Sequence, residues 1–174
     1  VKLEKNDPKI YKNLGILNSK IGKIEEAINY FNKAIEIDKN FINSYHNLAA
    51  IKLSKKEYKE AKHNFKKVLE FNKKNLEVLL SLSNILLIEK NYFEAKNILL
   101  EIIKLKPDHF EAFNNLGNCQ IELNEIKDAL KSLNQSNKIK QNKAAYNNIG
   151  LIYQKEKKFD LSVENFKKAL SIDA

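Results

Sequence analysis

Apolar residues recur along this chain at helical spacing, in two registers that alternate. Ile10, Leu14, Leu17 and Ile21 stand at i, i+4, i+7 and i+11 and so share one helix face. Gly22 interrupts the run, after which Ile24, Ala27, Ile28, Phe31 and Ile35 continue it on a second helix. The same break returns at Lys55-Lys56-Glu57, Lys90-Asn91, Asn124-Glu125 and Lys157-Lys158, followed in turn by Tyr58, Tyr92, Ile126 and Phe159. The pattern predicts pairs of antiparallel helices, about 14 residues each, joined by tight turns.

Small residues mark the period. Gly15, Ala49, Ser83 and Gly117 recur every 34 residues, as do Ala27, Ala61, Ala95 and Ala129; Gly150 and Ser162 continue both series one residue early. A fixed period of this length marks a solenoid in which each unit buries its apolar face against the next. Five units follow, at residues 8–41, 42–75, 76–109, 110–142 and 143–174, the fourth being one residue short before Tyr146. Leu3 takes the place held later by Ile37, Phe71, Leu105 and Ile139, so residues 1–7 read as the tail of a preceding unit. With Val at position 1 and no Met, the chain reads as a piece of a longer array.

The small residues are there for steric reasons. Where two helices cross closely, only Gly, Ala or Ser leaves room for the backbones. Tyr11, Tyr45, Phe113 and Tyr146 supply bulk on the first helix of a pair, and Phe31, Phe65, Leu99, Leu133 and Phe166 on the second. Tyr11-x-x-Leu14-Gly15 and Ala27-x-x-x-Phe31-x-x-Ala34, with their four echoes, resemble the tetratricopeptide repeat, Tyr or Phe standing where that family often has Trp. The resemblance covers residues 8–174. It implies an all-α fold, an α-solenoid of five antiparallel helix pairs wound as a right-handed superhelix. The departures are local: the family's Pro after the second helix survives only as Pro107, and Ser136 is polar where Ala is usual.

The resemblance also implies a concave groove lined by the first helix of each pair, holding a protein or peptide partner. Carried over by position, its candidates are Asn13 in the first repeat and His46 and Asn47 in the second. Leu80, Ser81, Asn84 and Leu87 follow in the third, then Asn114, Asn115 and Asn118, then Asn147 and Asn148. Asn13, Asn47, Asn115 and Asn148 occupy one column, with Ser81 in the remaining repeat. Because an amide both donates and accepts, such a column can hold peptide backbone without reading its sequence. In this it is similar to the arms of O-linked N-acetylglucosamine transferases, which leaves a second reading: the recruiting arm of a larger glycosyltransferase or sulfotransferase. The places where other members clamp a C-terminal carboxylate hold Lys12, Ile16, Asn47, Glu77 and Ser81, and Glu77 would repel that ligand. Leu53, Leu80, Leu87, Ile88 and Ile121 make the middle of the groove apolar, as binding sites often are.

Charge adds one candidate. Of the net +9, repeat two supplies nine Lys against three Glu, and Lys55, Lys59, Lys62 and Lys66 follow 4-3-4 spacing along its second helix. A basic stripe can attract acidic partners, but the chain has no Arg, which argues against nucleic acid and for an ordinary solvated face. No catalytic constellation, metal-ligand spacing or phosphate loop occurs, so neither enzyme activity nor a cofactor is expected. Cys119 shares a column with Leu17, Ile51, Ile85 and Ile152 and reads as a buried hydrophobe. A single Cys forms no internal disulfide and favours a reducing compartment such as the cytoplasm. No apolar run approaches the ~20 residues of a membrane span. Phe159, Val163, Phe166 and Leu170 lie on a last helix with no capping helix after it, so end-to-end self-association is expected.

Overall fold

A computed structural model describes residues 6–172. The expected tail of a preceding repeat falls mostly on residues 1–5, outside the described residues. Among the described residues there are ten α-helices and no strand: α1 Pro8–Lys20, α2 Ile24–Ile37, α3 Ile42–Ser54, α4 Tyr58–Phe71, α5 Leu76–Ile88, α6 Tyr92–Leu105, α7 Phe110–Glu122, α8 Ile126–Ile139, α9 Lys143–Lys155 and α10 Phe159–Ser171. The chain divides into two units, the first ending at Val78 and the second beginning at Leu79. In the first, α1 packs on α2 and α3 on α4; in the second, α7 packs on α8 and α9 on α10.

Each pair closes through the same three-residue turn. Its middle residue lies in the left-handed region: Gly22 at φ 81°, then Lys56, Lys90, Asn124 and Lys157 at 59–61°. In the first turn, the Lys23 N–H donates to the Asn18 carbonyl and the Gly22 N–H to that of Ser19, a Schellman closure. Glu57, Asn91, Glu125 and Lys158 donate in the same way to Lys52, Leu86, Gln120 and Tyr153. One residue thus ends the first helix and begins the second. The β-carbon penalty falls on three lysines and an asparagine, because only the first turn carries glycine.

The pairs touch where the sequence places its small residues. A β-carbon built on Gly15 would lie 2.6 Å from the Phe31 ring, one on Gly117 2.6 Å from Leu133 Cγ, and one on Gly150 2.7 Å from the Phe166 ring. The ring or isobutyl group of the second helix fills the space that the missing side chain leaves. Two core clusters then join successive pairs: Ala27 and Phe31 with Leu48 and Ile51 in the first unit, and Ala129 and Leu133 with Ala145, Ile149 and Ile152 in the second. Two of the buried serines bond to the backbone of the partner helix. The Ser136 hydroxyl donates to the Phe110 carbonyl at 2.9 Å, and that of Ser162 to the Gly150 carbonyl at 2.9 Å.

The short fourth repeat closes differently from its neighbours. In the four-residue connections, a backbone N–H bonds three residues back, as Phe41 does to Asp38 and His109 to Lys106. Between α8 and α9 only residues 140–142 intervene, and the Asn142 N–H is taken by the Asn137 side chain at 3.0 Å. The Asn142 carboxamide in turn accepts from the Ala144 N–H and caps α9. The deletion is absorbed by two asparagines, and the core under α8 and α9 remains continuous.

Two substitutions probe the crossing and the turn. Gly117→Val drives a branched side chain into Leu133 and is expected to lower stability by about 1–3 kcal/mol. Lys90→Gly removes the left-handed penalty and is expected to add up to about 1 kcal/mol. Thermal melting followed by circular dichroism reads both, about 2–4 °C per kcal/mol for a chain of this size.

Candidate functional site

The amides expected to form one open column do not behave alike. In the second unit, Asn115 Nδ2 donates across to Asn84 Oδ1 at 2.7 Å, and Asn148 Nδ2 donates to Asn118 Oδ1. Each column amide is therefore tied to an amide on the first helix of the preceding repeat. In the first unit the corresponding place holds Ile16, so Asn47 has no such partner and turns back on its own helix, donating to the Asn43 carbonyl at 2.7 Å. Asn13 is exposed, and Ser81 is half-buried. The column is thus two linked amide pairs in one unit and separate side chains in the other. The sequence carries a signal for this pairing: Asn84 and Asn118 stand 34 residues apart, one turn along the helix from the column.

Asn114 departs from its expected place in the groove: only 8% of it is accessible. Of its repeat counterparts, Lys12, His46 and Leu80 are half-buried and Asn147, on the last repeat, is exposed, so the repeat context and not the length of the side chain sets the burial. Its Nδ2 donates to Asn115 Oδ1 at 3.2 Å, which extends the Asn84–Asn115 pair by one member. His46 lies edge-on to Phe65, its Nε2 3.6 Å from Glu77 Oε1. Asn147 is exposed and lines a hollow with Phe166, Ala169 and Leu170, apart from the other amides. Phe159, Val163 and Leu170 of α10 are exposed.

The Asn118–Asn148 pair borders a cleft of about 620 Å³ in the second unit. Its apolar wall comes from Leu87, Ile121, Ile126 and Leu151, the last of these 48% exposed. Asn118 and Asn148 form one edge, and Glu122, Lys155 and Glu156 lie on the rim. Tyr92 closes one side; desolvation, reinforced by the neighbouring Glu122 carboxylate, raises its phenol pKa above the ordinary value. Leu80 is half-buried and Ile88 exposed, and neither lines the cleft. The arrangement offers an aliphatic surface beside oriented amide donors, the combination that typifies ligand-binding concavities.

The basic stripe needs one correction. Lys55 is in the turn before α4 and not on that helix; its Nζ reaches Glu25 Oε1 at 2.9 Å and Glu57 Oε1 at 3.3 Å. The Glu25 bond, then that of Glu57, raises its pKa. Its place follows from the helix boundary, since Lys55 is the C-cap of α3, three residues before α4 begins. Lys59 and Lys66 are exposed on α4, and Lys62 is half-buried there. A second cross-repeat pair, Lys96 with Glu125 at 2.7 Å, lies close to Cys119.

Cys119 is fully buried, and burial pushes its thiol up to about 11. Among the described residues no group of three or more His, Cys, Asp and Glu is placed to hold a metal, and no helix is long and apolar enough to cross a membrane.

The tetratricopeptide repeat family matches residues 8–41 and 144–174 through one of its forms, 52–113 and 86–149 through a second, and 30–63 through a third. No curated protein matches the chain in sequence. Solved structures similar to it include MamA, 23% identical over 91% of this chain and 93% of that one, with a TM-score of 0.83. MamA from Desulfovibrio magneticus RS-1 is 18% identical over 95% and 94%, with a TM-score of 0.87. YrrB, described as a TPR protein with an unusual peptide-binding site, is 25% identical over 97% and 88%, with a TM-score of 0.82.

The buried thiol generates a prediction. Between about pH 9, where the unfolded thiol ionises, and about 11, the folded chain binds the extra proton, so this residue's contribution to stability falls as pH rises. At pH 8 a thiol reagent should label the native protein far more slowly than the denatured chain. Equal labelling rates would show that Cys119 is accessible.

Proposed function

Because the chain belongs to the tetratricopeptide repeat family, we propose that it is a non-catalytic protein-interaction module, and that its second unit holds an extended peptide along the cleft between α5, α7 and α9. The observation that carries this reading is the juxtaposition, in one concavity, of the Asn118–Asn148 amide pair with the apolar wall of Leu87, Ile121 and Leu151. A protein-interaction role accords with the scaffold fold, and YrrB, of the same fold, is itself described as peptide-binding.

The amides do the sequence-independent part of the work. With Asn148 Nδ2 engaged on Asn118 Oδ1, the Asn118 Nδ2 group remains to donate and the Asn148 Oδ1 to accept. A peptide carbonyl and N–H complete the set, and the amide pair is held in place before the peptide arrives, so less ordering entropy is lost on binding. The aliphatic wall then selects a bulky apolar side chain, because a polar one would lose its hydration without a partner.

The Asn118→Ala/Asn148→Ala double variant should weaken binding of peptides selected from a random library by roughly ten- to a hundredfold, at about 0.5–1.5 kcal/mol per hydrogen bond. Leu151→Lys should abolish the preference for bulky apolar side chains while leaving helix content unchanged. Fluorescence-polarisation titrations of wild type and variants read both effects. Equal affinities across the three proteins would remove the cleft from the function.

A further inference from the structure

The five repeats serve as internal controls for one another, and one outer helix breaks their rule. On the exposed side of each second helix, four positions follow 4-3-4 spacing; in α6 these are Phe93, Asn97, Leu100 and Lys104, all exposed. The other repeats place Glu25, Lys59, Lys127 and Asp160 where α6 has Phe93, and lysine or asparagine where it has Leu100. All of those are exposed too, so the position faces solvent in every repeat. Phe93 is 69% accessible and Leu100 45%. Stacking of repeats does not require apolar residues here, since four of five repeats dispense with them, and each exposed apolar side chain is a liability for solubility.

Spacing of 4-3-4 is that of a coiled-coil seam, read along α6 as Phe93 (d), Asn97 (a), Leu100 (d) and Lys104 (a). Both a positions are polar, so Phe93 and Leu100 are the apolar part of the seam. The flank on the e positions is acidic, Glu94 and Glu101, both exposed. Asn91 Nδ2 donates to Glu94, whereas Glu101 has no bonded or ionic partner among the described residues. The opposite flank is closed by the protein itself, where Lys96 is bound to Glu125 and Ile103 is half-buried.

We propose that the outer face of α6 docks an amphipathic helix of a partner protein, one whose apolar seam is bordered by lysine or arginine. Charge selects this occupant over an antiparallel second copy of the chain. In an antiparallel pairing of two α6 helices, e positions face e positions, which would set Glu94 against Glu101 of the copy. A basic flank on a different helix pairs with both carboxylates. With two apolar side chains at its centre, the contact is far smaller than the ~1,200–2,000 Å² of a stable interface, so it is a transient one. It stands independently of the peptide cleft.

The test uses three labelled helical peptides of about three heptads each, with a Leu seam and one central Asn. One carries Lys on its flanks, one carries Glu, and one carries Lys flanks with the seam changed to Ser. Titrated into the full chain, the Lys-flanked Leu peptide should bind and the other two should bind at least about tenfold more weakly. Because the protein is net +9, general electrostatic attraction favours the Glu-flanked peptide, so the expected order cannot arise from net charge. The Phe93→Gln/Leu100→Asn double variant, uncharged and confined to exposed positions, should keep its melting temperature and lose at least about tenfold in affinity. The Asn118→Ala/Asn148→Ala variant should bind the peptide as wild type does. Absence of binding, equal binding to all three peptides, or equal binding by the double variant would overturn the proposal. So would a concentration-dependent dimer in sedimentation equilibrium that the double variant abolishes, which would make a second copy the occupant.

Discussion

The close crossing of the two helices in each pair is the constraint from which the rest of the structure follows. With no β-carbon at Gly15, Gly117 and Gly150, a side chain from the second helix lies directly against the first helix backbone. The same three-residue turn joins every pair, those with Ala49 and Ser83 at the crossing included, and its middle residue lies in the left-handed region whether or not it is glycine. The close crossing also brings the second helix to where its Phe or Leu can reach the next pair, as Phe31 reaches Leu48 and Ile51. Nearest-neighbour packing of this kind makes stability close to a sum over repeats.

A scaffold built by repetition gives function to the positions that break it. The column amides have the same side chain in four repeats, yet their partners differ because the neighbouring column holds Ile16 in one repeat and Asn84 or Asn118 in others. Where an amide faces an amide, the two are linked across repeats, and where it faces isoleucine it folds back on its own helix. The outer helices work in the same way: where α6 carries Phe93 and Leu100, the other four carry polar residues. Both departures lie in the second unit, on opposite-facing helices of the pairs, where they leave the packing faces untouched.

Much of this was decided by the chain's local pattern. Helical periodicity, the small-residue columns and the turn positions follow from spacing alone, because each reflects contacts within a pair or one turn of helix. The buried place of Cys119 follows from its column of aliphatic neighbours for the same reason. Tertiary structure alone decided what depends on approach across some thirty residues. The bond from Asn115 to Asn84 and the pairing of Lys55 with Glu25 both need the register between neighbouring repeats. The burial of Asn114, whose counterpart Asn147 is exposed, depends on what packs around that position in its own repeat, which no periodicity encodes. A repeat sequence specifies which side chains share a face; only the stacking distance determines which of them meet.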